Sequence, residues 1–241
     1  MLWDGTAVIG RGLVDSGLDV VSAARQALDQ ACAAAGSRPE ALCATGYGRA
    51  AVPDADHRVT EITCHARGLA ALLPQARSAI EIGGQDSKVL RFDARGQVAD
   101  FAMNDRCAAG TGRFLEVIAA RLDHDPAGFG RLASGGTAVP ISAMCVVFAE
   151  SEIVGLVAGG TRPADIAAGV IAAIASRVAA LAGRLLADPV ALTGGVGLLP
   201  GMAEALALAT GRPVLVAPQP QYTGALGAAL IAAERLRRHS H

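Results

Sequence analysis

The stretch from Ser78 to Phe101 constrains the fold more than any other. Three short apolar runs, Ala79-Ile80-Glu81-Ile82, Val89-Leu90-Arg91-Phe92 and Val98-Ala99-Asp100-Phe101, read as a three-stranded meander. Its second turn, Asp93 to Gly96, is an ordinary hairpin loop. Its first, Gly83 to Lys88, is longer and richer than a hairpin needs, and a helical pattern follows the meander. The plan repeats near the start. Leu2 to Gly10 reads as a hairpin turning at Asp4-Gly5, and Leu18 to Ala35 carries apolar residues at helical spacing up to Gly36. Two halves built on one plan of strands and helices predict an α/β fold. On that plan a counterpart of Ile80 to Gly84 is expected ahead of Leu2.

The rest of the chain continues in the same style. Leu42 to Thr45 is a short strand running into the glycine turn Thr45-Gly46-Tyr47-Gly48-Arg49, and Thr60 caps a helix that ends near Leu73 before Pro74. Val139 to Ser142 reads as a strand and Ile166 to Leu186 as a long helix with Ile166, Val170, Ile174, Val178, Leu181 and Leu185 inward. Val190 to Thr193 is a strand that enters Gly194-Gly195-Val196-Gly197, with a helix after Pro200. Pro213 to Ala217 and Gly224 to Leu236 are the last strand and helix.

At 241 residues, 52% hydrophobic and 18% charged, the chain has enough apolar matter for two substantial cores. A net charge of -1 supplies no electrostatic case for nucleic acid or an anionic membrane. No 18-residue apolar run lacks a charge or a breaker, since Arg177 and Arg184 interrupt the longest, and no secretory signal opens the chain. A cytoplasmic protein is expected. Cys32, Cys43, Cys64, Cys107 and Cys145 are odd in number and widely spaced, as reduced thiols are. Lys88 is the only lysine, and it lies inside the glycine-rich turn.

Two features carry chemistry. Cys107 precedes a helix whose apolar face is Leu115, Ile118, Ala119 and Leu122; Cys145 precedes another, marked by Ala149, Ile153, Leu156 and Val157. A thiol near a helix's positive end tends toward the thiolate that binds metal, although a lone cysteine is commonly just a small hydrophobe. An iron–sulphur cluster takes about four thiolates, so two per chain require a twofold dimer. The second feature is the turn at 83–88. Gly83 and Gly84 let the backbone approach a phosphate, Ser87 and Lys88 can donate to it, and Asp86 can hold Mg²⁺ through water; a plain turn reads equally well. Glu61 either positions a water or compensates a helix dipole. Cys64 and His65 read as structural.

Glu81-Ile-Gly-Gly-Gln-Asp-Ser-Lys88, Asn104-Asp-Arg-Cys-Ala-Ala-Gly-Thr-Gly-Arg-Phe-Leu-Glu116, Cys145-Val-Val-Phe-Ala-Glu-Ser-Glu152 and Thr193-Gly-Gly-Val196 together resemble the ATP-dependent activators of 2-hydroxyacyl-CoA dehydratases, a family that includes the ATPase subunits of benzoyl-CoA reductases. The resemblance covers essentially the whole chain. It implies an actin-like, sugar-kinase-like fold of two ribonuclease H-like lobes, here residues 1–75 and 76–241, with ATP between them. It also implies a homodimer holding one 4Fe-4S cluster through Cys107 and Cys145. Gly83, Gly84, Gln85, Asp86, Ser87 and Lys88 would form a phosphate loop, Gly110, Thr111 and Gly112 would add contacts, and Gly194, Gly195 and Val196 would meet adenosine. Glu61 and Asp86 would be the catalytic carboxylates. Hydrolysis would drive an electron, received from reduced ferredoxin or flavodoxin, onto an acyl-CoA dehydratase or reductase component. Two small departures are Glu81, where aspartate is commoner, and Leu199, where asparagine is frequent. The third is that the first phosphate loop is not seen, so a truncated first lobe is expected. An ATP-incompetent paralogue or incomplete chain acting as a binding module, and a small-molecule kinase, are the competing readings. A kinase has no use for the cysteines.

Overall fold

The computed structural model describes residues 1–143 and 145–239. The chain forms two compact units: one contains Met1–Pro74, Asp93–Val98 and Tyr222 onward, the other Gln75–Phe92 and Ala99–Gln221.

In the first unit, β1 (Leu2–Trp3) and β2 (Val8–Gly10) form the expected hairpin. Asp4 closes it, its carboxylate accepting from the Thr6 and Ala7 N–H groups at 2.8 Å each. Helix α1 (Val20–Ala35) is capped by Asp19 and ends at Gly36 in the left-handed region. It lies so close on β2 that a Cβ at Gly10 would overlap the Ala31 carbonyl. Strand β3 (Cys43–Ala44) pairs in parallel with β4 (His57–Arg58), a strand the periodicity did not signal. Helix α2 (Glu61–Leu72) begins at Thr60, whose hydroxyl accepts from the Thr63 N–H at 3.3 Å.

The second unit is built on a five-stranded sheet in the order β7-β6-β5-β8-β9. The meander is there: β5 (Ser78–Ile82), β6 (Ser87–Phe92) and β7 (Val98–Asn104). Strand β5 is central, antiparallel to β6 and parallel to β8 (Val190–Thr193), which is parallel in turn to β9 (Val214–Val216). All five β5 residues are buried, as befits a strand covered on both faces. Against the sheet pack α3 (Gly112–Arg121), α4 (Pro126–Ala133), α5 (Val146–Ala158), α6 (Pro163–Ala182) and α7 (Met202–Thr210), around one core that includes Ile80, Phe114, Ile118, Phe129, Ile153 and Leu192. Helix α6 buries Ile166, Val170, Ile174 and Val178, as its spacing predicts, but it ends at Ala182, so Leu185 lies beyond it, and Leu181 is only partly buried. It is long and apolar enough to cross a membrane by composition, but those residues belong to the core.

Three expectations need correcting. The last helix, α8 (Thr223–His239), belongs to the first unit rather than to a lobe of residues 76–241. Its small residues let it nest on α2: a Cβ at Gly227 would overlap the Cys64 carbonyl, and one at Gly68 the Thr223 carbonyl. Cys64 thereby joins Ala228 and Ile231 in a second core, and Arg67 forms an ion pair with Glu234. Residues 139–142 are not a strand. Pro140 lacks an N–H for a ladder, and Val139 instead donates to the Asp165 carbonyl at 3.3 Å, at the start of α6. Val157, expected on the inward face of α5, is exposed.

Candidate functional site

Strand β5 delivers the chain into a tight turn closed by the Gly83 N–H donating to the Asp86 carbonyl at 3.0 Å. Onto this turn docks the first turn of α3: the Gly112 N–H donates to the Gly83 carbonyl at 2.8 Å and the Arg113 N–H to the Gly84 carbonyl at 2.9 Å. The approach is close. A Cβ on Gly112 would stand 3.1 Å from the Gly83 oxygen and 3.2 Å from the Gly84 Cα. The neighbouring strand β8 ends at Thr193 and runs into Gly194, with φ 87° and ψ 168°, a conformation essentially reserved for glycine. Gly195 to Leu198 then form a single 3₁₀ turn.

Between these glycines lies a cavity of about 380 Å³. Gly83, Gly84, Gly112, Gly195 and Val196 of the expected binding residues line it, and Leu115, Pro126, Leu198 and Leu199 supply an apolar wall. No neighbour lies within 4 Å of a Cβ built on Gly84 or Gly195, so bare backbone faces open space there. A glycine edge beside an apolar wall suits a ligand with phosphates at one end and an aromatic base at the other. Asp125 and Pro126, also at the cavity, start α4, which the sequence reading missed. The signal was present as an N-cap aspartate followed by proline at N1, and Asp125 does accept from the Gly128 N–H at 2.6 Å.

Other expected residues sit elsewhere. Gln85 is exposed and does not line the cavity. Lys88 does not reach toward it. It lies on β6 opposite Glu81 of β5, 1% exposed, with its ammonium 2.9 Å from the Glu81 carboxylate and 2.6 Å from that of Asp86. A buried ammonium must be paired, and these two acids beneath the turn pair it, so Lys88 supports the turn from below. Asp86 is 3% exposed and has one oxygen committed to Lys88. Ser87 is buried and borders a second cavity with Arg106 and Arg177. Thr111 is buried and donates to the Ala108 carbonyl at 2.6 Å; Gly110, with φ 87°, shapes the loop ahead of α3. Neither lines the 380 Å³ cavity. Glu61 belongs to the other unit, as the first residue of α2, with an oxygen 3.9 Å from the Cβ position of Gly46.

The two thiols are both in the second unit. Cys145 is exposed and is the N-cap residue of α5, as expected. Cys107 is half-exposed but is not at a helix start. Helix α3 begins only at Gly112, and the small residues between form the loop that docks on the phosphate-type turn. Asn104 shapes that loop, donating to the carbonyls of Cys107 at 2.8 Å and Ala109 at 3.0 Å. Ahead of Cys145, the Glu152 carboxylate accepts from the Ser142 N–H (2.9 Å), the Ser142 hydroxyl (2.6 Å) and the Ala143 N–H (2.7 Å). Its partial burial favours the neutral acid, but the three donors prevail and hold the carboxyl below its ordinary range. Among the described residues no group of three or more His, Cys, Asp or Glu side chains could hold a metal.

Known proteins resemble this chain along nearly its whole length. The chain is 43% identical over 243 residues to the activator of lactoyl-CoA dehydratase of Anaerotignum propionicum, a match that covers 99% of this chain and 93% of that one. It superposes on the (R)-2-hydroxyglutaryl-CoA dehydratase component A of Acidaminococcus fermentans with a TM-score of 0.92 at 39% identity, covering 98% of this chain and 93% of the other. With the activator of the 2-hydroxyisocaproyl-CoA dehydratase from Clostridium difficile, solved with bound ADPNP, the TM-score is 0.93 at 37% identity, covering 99% and 91%. The fold is the actin-like one of these activators. Over residues 11–232 the sequence matches the family model as well, and the chain belongs to the BadF/BadG/BcrA/BcrD ATPase family.

Proposed function

We propose that the chain is an ATP-hydrolysing activator that delivers an electron at low potential to a 2-hydroxyacyl-CoA dehydratase, or to the related benzoyl-CoA reductase type of component. The observation that carries this reading is the bonded path between nucleotide-type cavity and thiols. Helix α3 is tied at its start to Gly83 and Gly84, and the loop just before it holds Cys107. Helix α3 also packs against α5, which Cys145 caps, and Arg121 pairs with Glu150 at 2.6 Å between the two helices. These contacts are the route by which a change in the turn at 83–86 would reach both cysteines.

The backbone at Gly84 and Gly195 binds the phosphates of ATP, Gly83 shapes the turn that presents them, and Leu115, Pro126 and Val196 take the base. Asp86, with one oxygen held by Lys88, would be the carboxylate that holds Mg²⁺ through water, and the ion would supply charge neutralisation at the phosphates. Glu61 orients the attacking water. The donor set fits an iron–sulphur cluster when it is doubled: the exposed Cys145 and the partly buried Cys107 of each chain become four thiols in a homodimer. Helix α5 has the surface for this. Only Ala149 and Ile153 are buried, while Val147, Phe148, Val154 and Val157 are 45–68% exposed. Such a patch beside the thiols is suited to a second copy. Cys107 and Cys145 would hold a 4Fe-4S cluster, which would supply a one-electron carrier, and α5 would shield it. Reduced ferredoxin or flavodoxin would load it, in the cytoplasm.

The test is iron and sulphide content of anaerobically purified protein. We expect one cluster per dimer, lost in Cys107→Ser and in Cys145→Ser because each change removes two of four ligands. Cys32→Ser, Cys43→Ser and Cys64→Ser should keep it. Full iron in Cys107→Ser would refute the ligand assignment.

A further inference from the structure

The two cysteine segments share a device that neither the cysteines nor the nucleotide cavity accounts for. Each is shaped by a single side chain that binds backbone groups of the loop. Asn104, the last residue of β7, spends both hydrogens of its amide on the Cys107 and Ala109 carbonyls. Glu152, two turns into α5, reaches back past its helix start to take three donors from Ser142 and Ala143. In both cases a side chain on a regular element fixes irregular backbone beside a thiol, which is how a ligand is pre-aimed.

We propose that Asn104 and Glu152 are positioning residues: they fix the loops of Cys107 and Cys145 before any metal is bound, so that each copy presents its two thiols at a set spacing and orientation. This rests on the reading that those thiols hold a cluster shared by two copies. Neither residue is a ligand. Glu152 has its carboxylate oxygens committed to loop donors, and Asn104 faces the loop with its amide nitrogen. The acceptor character of Glu152 is the essential property. In Glu152→Gln the shape is kept, but the amide group has one acceptor oxygen and turns an NH₂ toward one of the two N–H groups, donor against donor.

The experiment compares cluster-loaded wild type with Glu152→Gln, Asn104→Ala and Ser142→Ala, all prepared without oxygen. Iron release to a chelator and the electron paramagnetic resonance spectrum of the reduced cluster are read for each, with circular dichroism to confirm the fold. Glu152→Gln and Asn104→Ala should release iron about tenfold faster, the effect of roughly one lost hydrogen bond, and shift the g values, because the ligand geometry has moved. Ser142→Ala, which removes one of three donors and leaves both N–H bonds, should fall between. Should Glu152→Gln not fold, the same ordering must hold for Asn104→Ala and Ser142→Ala. Unchanged g values and release rates in loaded variants would overturn the positioning role. Absence of iron from wild type would instead overturn the cluster reading itself, so the two failures are told apart.

Discussion

Replacing Lys88 by methionine should cost the second unit about 3–5 kcal/mol at neutral pH, the usual penalty for removing one partner from a buried ion pair. The structure supports that size in two ways. Lys88, Glu81 and Asp86 are 1%, 4% and 3% exposed, and the ammonium makes contacts of 2.9 and 2.6 Å to the two carboxylates. At about 1.5–3 kcal/mol for each hydrogen bond to a charged group, two such bonds bracket the same range. The variant also has an escape that bounds the loss. One carboxyl can take up a proton, which at pH 7 costs about 4 kcal/mol for a group that ordinarily titrates near 4.

That escape fixes the sign of the pH dependence. In the variant a carboxyl's folded value is raised above its unfolded one, so stability is fully present below about pH 4 and is lost as pH rises toward the folded value, at up to about 1.4 kcal/mol per unit. Thermal unfolding at pH 5 and pH 8 measures it. At about 2–4 °C per kcal/mol for a chain of this length, the melting point at pH 8 should fall by roughly 6–20 °C, and by less at pH 5. Adding Glu81→Gln to Lys88→Met should recover part of the loss by removing the unpaired charge. Lys88→Arg should not be neutral, because a planar guanidinium is larger than the ammonium the two acids enclose. A loss under about 1 kcal/mol, the same at both pH values, would refute the reasoning.

Gly195→Ala should leave the melting point unchanged, since no neighbour is within 4 Å of its Cβ position, yet weaken ATP binding by roughly tenfold in calorimetry by holding the phosphates off the backbone. Gly194→Ala should do the opposite first, lowering stability by about 1–3 kcal/mol in urea unfolding, because its φ of 87° and ψ of 168° suit only glycine. Phe148→Asp on α5, 68% exposed, should shift the protein toward monomer in sedimentation and deplete iron together. The hydrogen bond between Cys43 and Cys64 lowers the first thiol's titration and raises the second's, so iodoacetamide at pH 8 should modify Cys43 well before Cys64, as peptide mass spectrometry would show.

Much of the second unit was legible in the sequence because local chemistry decides it. The meander, the β8 strand with its glycine turn, and α6 follow from apolar period and glycine placement, and they appear within a few residues of their expected bounds. What could not be read depends on partners distant in the chain. Lys88 looks like a phosphate donor until β5 and β6 pair Glu81 with it across the strands. Cys107 looks like a helix-start thiol until Gly112, by docking on Gly83, shows where α3 begins. The partner of α8 is equally invisible, since its small residues could pack on either unit and only the fit of Gly227 against Cys64 selects α2.

The internal repeat is the clearest case of a pattern half seen. Sequence similarity pointed to the opening hairpin and the meander as equivalents. The structure adds a second equivalence, at the two glycine turns. In the first unit β3 runs through Thr45 into Gly46, with φ 82° and ψ −174°, and then a 3₁₀ turn from Tyr47; in the second β8 ends at Thr193 and enters Gly194, with φ 87° and ψ 168°, and a 3₁₀ turn from Gly195. Each glycine also has a glutamate oxygen near its missing Cβ, Glu61 at 3.9 Å and Glu81 at 2.8 Å. Two threonine–glycine pairs are too common in a sequence to establish a repeat. A shared backbone conformation that other residues can scarcely adopt is far more selective, because it must be stabilised by its surroundings in both places. Each unit thus turns its chain at a strand end by the same device, and in the second unit that turn borders the nucleotide-type cavity.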